Sequence, residues 1–296
     1  ELLQFCLSND VSILRNGEAQ YNALLNDSGG IVDDMILYKL SDEKFMLVVN
    51  ASNIKKDWDY LLSKNTYGAN MENVSDQYSL LSIQGPKTLQ SIQKLTPHDL
   101  STISYYNFVV TEFAGFNDII ISNTGYTGCG GFEIYCKNSQ LKEIWNNIML
   151  AGSRYSIKPI GLAARDTLRL EMGFCLYGNE LSDDITPIEA GLGWITKFSK
   201  KFNGCKILKE QKEKGVKKKL IGFELIDKGI PRKDYEIFNN DNIIIGSVTS
   251  GTMSPSLGKA IGLGYVNSAS AKINTTIYIK IRNNLIKAMI IKPPFK

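Results

Sequence analysis

The chain reads as an α+β protein with an all-β C-terminal part, and three observations predict this. From about Lys217 onward the apolar residues fall into short β-branched runs separated by Gly and Asn turns, the pattern of a small barrel or sandwich. Before that point, alternating strand-like runs are mixed with segments of helical spacing. At 296 residues, 43% hydrophobic and 22% charged, the chain can bury a large core in more than one packed unit.

The elements follow in order. The chain starts inside a helix, at Glu1-Leu2-Leu3-Gln4-Phe5, which suggests that a leading segment is missing or that this is a fragment. Strands are expected at Gln20–Leu25, Ile31–Leu40 and Phe45–Asn50, the last two joined as a hairpin through Asp42-Glu43. Ile54, Trp58 and Leu61-Leu62 give Ser52–Lys64 a helical period. A strand at Ser79–Gln84 ends at Gly85-Pro86, where a first-turn proline launches a helix over Lys87–Leu95. Strands at Phe108–Phe113, Asn117–Ser122 and Phe132–Cys136 enclose the glycine-dense run Thr124–Gly131. Helices are expected at Gln140–Ala151 and Leu162–Met172. The C-terminal strands are Leu220–Leu225, Tyr235–Phe238, Ile243–Thr249, Ala260–Tyr265, Thr276–Ile281 and Ala288–Ile291.

Composition excludes several classes. A net charge of +4 is spread along the chain and argues for no nucleic-acid partner; Lys217-Lys218-Lys219 reads as a solvated turn. Five cysteines without a CxxC pair, and one histidine, His98, argue against a zinc-type metal site and fit a reducing compartment. No apolar stretch approaches the ~20 residues of a membrane span, and no signal-like start is present.

Four places carry polar groups that a plain fold does not require. The first is Gly29-Gly30-Ile31-Val32-Asp33-Asp34-Met35-Ile36, two acids in an apolar strand launched from a glycine turn. Strand alternation puts Asp34, Ile36, Tyr38 and Leu40 on one face and Asp33, Met35, Leu37 and Lys39 on the other. A carboxylate among apolar neighbours is costly unless something binds it, although an Asp pair at a strand entrance also serves as a turn-and-cap device. The second is Gly125–Glu133, where glycines allow close backbone approach around Tyr126; Glu133 itself fits a solvent-facing position as well. The third is Gly161–Glu171, with Arg165 and Arg169 one helical turn apart beside Asp166 and Glu171, which an ordinary salt-bridged helix also explains. The fourth, Gly246–Val266 with Thr249–Lys259 inside it, reads as a structural turn or docking loop, because it lacks the order of a phosphate loop and no helix follows. No Ser-His-Asp or Cys-His arrangement exists: His98 reads as a surface residue and Cys175 as packing. Asp34 is therefore the best candidate acid or base.

These segments resemble the tetrahydrofolate-dependent aminomethyltransferase, or T-protein, family of the glycine cleavage system. The matching runs are Gly29–Asp34, Val48–Asn53, Ile83–Pro86, Gly125–Gly128, Ala164–Glu171, Leu176–Asn179, Thr186–Trp194, Gly229–Arg232 and Val248–Lys259, in family order along the whole chain. The resemblance implies a three-lobed folate-binding fold, with residues 1–200 forming two interleaved α+β lobes and residues 217–296 a C-terminal β-barrel domain. It implies transfer of a methylene group from the aminomethylated lipoyl arm of H-protein to tetrahydrofolate, with release of ammonia and no metal. Carried over by position, Asp34 matches the catalytic aspartate, Glu133 and Arg165 the folate-binding pair, and Tyr21, Ile36, Tyr38, Asn50 and Tyr126 the folate pocket. The bacterial cytoplasm is the expected location, or the mitochondrial matrix if the source is eukaryotic.

The chain departs from the family pattern in lacking its opening segment and the aromatic residue after the C-terminal Pro-Phe. It also has Cys129 where the family favours an acid after Gly-Tyr-Thr-Gly. The nearest alternatives share the fold: a folate-dependent demethylase, the folate domain of a sarcosine-type oxidase, or a non-catalytic folate binder that assists iron–sulfur assembly.

Overall fold

The computed structural model describes residues 1–295. Its first sheet is antiparallel, β1 (Ala19–Leu25), β2 (Ile31–Lys39) and β3 (Phe45–Val48), with β2 in the centre. The β1–β2 turn explains the glycine pair. Gly29 adopts φ +81°, a conformation that L side chains avoid. A Cβ on Gly30 would lie 1.7 Å from the Asp183 carbonyl oxygen, so only glycine lets this turn dock there. Asn26 holds the turn, donating to that same carbonyl at 2.9 Å and accepting from the Gly30 amide at 2.8 Å. Leu24 pairs with Asp33 but Leu25 pairs with Ile31, so Val32 is a bulge immediately before the two acids.

The strand alternation expected for β2 holds. Met35 and Leu37 pack into a core with Leu2 and Cys6 of α1 (Leu2–Cys6), with Leu7 and with Leu61 of α2 (Ile54–Lys64). On the opposite face, Ile36 and Tyr38 pack against Phe108, Ile120 and Tyr135 of the second sheet. That sheet is antiparallel in the order β4 (Tyr78–Gln84), β7 (Gly131–Lys137), β6 (Phe116–Ser122), β5 (Phe108–Phe113). Its other face is covered by α3 (Thr88–Ile92) and α4 (Leu141–Gly152), through Ile92, Ile144 and Ile148. Pleating sends Phe132 and Ile134 to that core and Glu133 and Tyr135 toward the first sheet.

The third unit is a closed six-stranded antiparallel barrel, β10-β11-β8-β13-β12-β9, formed by β8 (Lys218–Leu225), β9 (Glu236–Phe238), β10 (Ile244–Ser254), β11 (Lys259–Asn267), β12 (Thr276–Ile281) and β13 (Asn284–Ile291). Closure removes the exposed edges that short strands otherwise present.

Three expectations need correction. Lys218 and Lys219 belong to β8, paired with Asn267 and Val266, because the barrel recruits them into its ladder. Thr249–Lys259 is not a loop: β10 runs on to Ser254 and β11 begins at Lys259, leaving a four-residue turn. A helix, α6 (Cys205–Lys214), was not expected. It is so rich in Lys, Glu and Gln that periodicity had little to register, and among its ten residues only Leu208 is buried.

The helix α5 (Leu162–Glu171) ties the barrel to the rest of the molecule. Arg169 is fully buried; it pairs with Glu180 at 2.7 Å and donates to the Phe174 carbonyl at 2.9 Å and to Ser250 Oγ of β10 at 2.7 Å. Two turns of chemistry follow from one helix: Arg165, four residues earlier, is exposed. Removing one partner of a buried pair leaves the other charge stranded, at a cost of about 3–5 kcal/mol. Arg169→Met should therefore lower unfolding free energy in denaturant titrations by about that amount; a loss below about 1 kcal/mol would mean that the pair does not hold this junction.

Candidate active site

Asp34 and Asp33 are neighbours with different surroundings. Asp33 is wholly buried and is addressed by three N–H donors: the Asn50 backbone amide at 3.0 Å, Asn50 Nδ2 at 2.8 Å and Asn53 Nδ2 at 2.7 Å. It thus fastens the segment after β3 onto β2, a long-range version of the capping role open to it from sequence. Asp34 keeps part of its surface open. It accepts from the Tyr21 hydroxyl at 2.8 Å and from Asn50 Nδ2 at 3.0 Å. Burial pushes the Asp34 carboxyl up to about 6; the Tyr21 and Asn50 bonds oppose this and the nearby Asp33 adds to it. Burial, reinforced by Asp34, pushes the Tyr21 hydroxyl well above its usual range, so Tyr21 remains a donor.

Glu133 is buried, not solvent-facing, because its face of β7 is covered by the first sheet. The Thr124 hydroxyl donates to it, and Tyr38 hydroxyl lies 3.2 Å from Thr124 Oγ1 and 2.9 Å from Tyr135 hydroxyl. Burial raises the Glu133 carboxyl, against the pull of the Thr124 bond and of the Arg165 charge. Tyr38 is fully buried, so it supports Glu133 from behind through Thr124, with no open surface of its own.

Tyr126 is a half-buried platform. Its hydroxyl donates to the Cys175 carbonyl, its ring stacks on Phe174 at 5.8 Å, and Arg165 lies 4.8 Å above it. Burial is the main reason its hydroxyl is raised; the Arg169 charge opposes this and Asp34 adds to it. Trp194 stacks on Tyr21 at 6.0 Å and is 60% exposed. Ile36 and Asn50 are half-buried beside the acids.

The structure thus brings together Asp34, Tyr21 and Ile36 from the first sheet, Asn50 from the segment after β3, Glu133 from β7, Tyr126 from the β6–β7 turn and Arg165 from α5. Thr124, Trp194 and Phe174 were not anticipated. Trp194 carried the usable signal, an aromatic closing a glycine-rich turn, whereas Thr124 and Phe174 owe their roles to long-range packing. Half-buried Tyr21 and Tyr126 and exposed Trp194 offer aromatic faces near Asp34, with Arg165 between Tyr126 and Glu133, a set of groups suited to a flat, hydrogen-bond-donating ring system. Among the described residues no group of His, Cys, Asp and Glu is arranged to hold a metal ion. No helix there is long and apolar enough to cross a membrane.

Two antiparallel sheets, one of them covered by helices, and a closed six-stranded barrel define a three-lobed α+β class of protein. Comparison with known proteins makes this specific. Residues 1–200 match the GCVT N-terminal domain and residues 218–296 the glycine cleavage T-protein C-terminal barrel domain. The aminomethyltransferase of Flavobacterium psychrophilum is 56% identical over 99% of this chain and 82% of its own length. That of Phocaeicola vulgatus is 55% identical over 100% and 82%. The crystal structure of glycine cleavage system aminomethyltransferase T from Bartonella henselae superposes with a TM-score of 0.90 at 31% identity, covering 100% of this chain and 80% of that one. The chain belongs to the glycine cleavage T-protein family of aminomethyltransferases. The expected three-lobed α+β fold with its C-terminal barrel is therefore the observed one.

The raised Asp34 has a thermodynamic signature. Its folded pKa lies above the unfolded value, so the folded state binds the extra proton between about pH 4 and 6. Wild-type stability then falls as pH rises through that window, because the buried carboxylate must ionise. Asp34→Asn removes this penalty, and its stability relative to wild type should grow by about 2 kcal/mol between pH 4 and pH 7. Urea titrations at the two pH values test it; a constant difference would show that Asp34 is not perturbed.

Proposed function

We propose that this aminomethyltransferase moves the methylene group of the aminomethyl-dihydrolipoyl arm of H-protein to tetrahydrofolate. The products are 5,10-methylenetetrahydrofolate, dihydrolipoyl H-protein and ammonia. The balance is redox-neutral: the methylene carbon leaves sulfur and nitrogen for two folate nitrogens, and the two folate N–H protons pass to the thiol and to ammonia. The bacterial cytoplasm is the compartment proposed, in line with the bacterial relatives.

The observation that carries this reading is a pair of carboxylates on facing sheets, half-buried Asp34 and buried Glu133, each held closer to its protonated form by burial. Four residues of strand, about 13 Å, separate Asp34 from Tyr38, whose hydroxyl backs Glu133 through Thr124. The proposal places a bicyclic pterin between Asp34 and Glu133. Glu133 accepts the pterin amino group and ring N–H side by side. Tyr126, Tyr21 and Ile36 wall the rings, and Arg165, exposed at the mouth, attracts the anionic tail. Asn50 orients Asp34. Asp34, as the catalytic carboxylate, takes the folate proton and balances the cationic charge that develops as the methylene leaves sulfur. No metal takes part in the proposed step.

Ammonia release from aminomethylated H-protein, with and without tetrahydrofolate, tests the reading; release that folate does not accelerate would overturn it. Binding of reduced folate should raise the melting temperature by mass action, and Glu133→Ala should lose most of that shift, since the pterin donors go unpaired. Equal shifts in both proteins would remove Glu133 from the site. Ionised Asp34 is the active form, so kcat/KM should fall about tenfold per pH unit below about pH 6, and Asp34→Asn should lack this acid limb.

A further inference from the structure

Asp57, in the first turn of α2, is 2% exposed, and neither of its carboxyl oxygens meets a donor. It is the one such side chain among the described residues. The dipole of α2 favours an acid in its first turn by only about 0.3–1 kcal/mol, less than two stranded buried oxygens cost, and an apolar residue would pack there without them. Its position explains it. The turn of chain before it is fastened to β2 at two points: Asn53 donates to Asp33 Oδ1, and Lys56 Nζ donates to the Val32 carbonyl at 2.9 Å. Asp57 follows Asn53 by four residues, and Asp33, the acid that Asn53 holds, is the side chain beside it.

Two carboxyl groups this close and this buried cannot both ionise. Three N–H donors address Asp33 and none addresses Asp57, so the proton of the pair sits on Asp57. Asp33 Oδ2 accepts only from the Asn50 amide, which leaves it a lone pair for an acid O–H. We propose that Asp57 is a positioning residue, protonated at neutral pH, whose O–H donates to Asp33 and thereby holds Asn50 against Asp34.

Burial, reinforced by Asp33, pushes the Asp57 carboxyl up to about 9, in keeping with a neutral acid at physiological pH. The charged groups facing it are Asp33, Asp34 and Lys56. The Lys56 ammonium is committed to Asp183 at 2.6 Å and to the Tyr177 hydroxyl, also at 2.6 Å, and lowers the Asp57 value only in part. The chain of contacts runs Asp57–Asp33–Asn50–Asp34, and each link after the first is a hydrogen bond of 3.0 Å or less.

The proposal rests on Asp34 as the reacting carboxylate, and two readouts keep the questions apart. Difference infrared spectroscopy at neutral pH should show a carboxylic-acid C=O stretch that Asp57→Asn removes and Asp34→Asn leaves in place; this does not depend on catalysis. In the kinetics, Asp57→Asn keeps a neutral donor toward Asp33 and should retain kcat within about threefold. Asp57→Leu lacks the donor. It should lose roughly tenfold in kcat as Asn50 loosens, and its acid limb should move up by about half a pH unit as Asp34 loses that bond. An absent infrared band, equal behaviour of the Asn and Leu variants, or an unmoved acid limb in folded Asp57→Leu would each overturn the proposal. An acid limb that survives in Asp34→Asn would instead overturn the assignment of Asp34, and the infrared band would still report on Asp57.

Discussion

The fold hangs on one buried cation. Arg169 is completely removed from water, and such burial is tolerable only because every face of its guanidinium is occupied: Glu180, Asp166, the Phe174 carbonyl and Ser250. Glu180 is equally buried and also accepts from the Leu176 amide and from Thr249 Oγ1 of the barrel. Helix, connecting segment and barrel therefore meet at a single polar knot that is expensive to half-assemble. The consequence reaches the site. Phe174 and Cys175 are the residues against which Tyr126 stacks and to which it donates, and the helix that carries Arg169 also carries Arg165 over the Tyr126 ring.

A second constraint acts from the other side. The bulge at Val32 and the docked Gly29-Gly30 turn set where β2 begins, and the two acids follow at once. Because β2 lies between two packed layers, its pleat delivers Asp33 to the α2 side and Asp34 to the side facing the second sheet. One strand thus supplies a structural acid and an open acid from adjacent positions. The structural acid is enclosed by donors, and the open one is left with a raised affinity for its proton.

Much of this was legible locally. The separate faces of Asp33 and Asp34, the hairpin, the barrel strands and the orientation of Glu133 away from Phe132 all follow from a period of two. The exposure of Glu133 did not, since alternation gives a face and not what covers it. Arg165 and Arg169 share a helical spacing, yet one is exposed and the other wholly buried, because the difference arises from Glu180 and Ser250, far away in sequence. The polar helix Cys205–Lys214 escaped periodicity, and helical spacing gives no sign that Asp57 is buried with both oxygens unpartnered.

The central claim is the division of labour between the two acids, and single-turnover ammonia release from Asp34→Asn and Asp33→Asn tests it most directly. Rates are normalised to folded protein, and folate binding is measured on the same samples. The account predicts that Asp34→Asn binds folate yet loses the transfer rate by a factor on the order of 10² to 10⁴. Asp33→Asn, by contrast, should lose stability chiefly and no more than about tenfold in rate per folded molecule. A larger rate loss in Asp33→Asn than in Asp34→Asn, at equal folded content, would contradict it and move the reacting carboxylate one residue back along the strand.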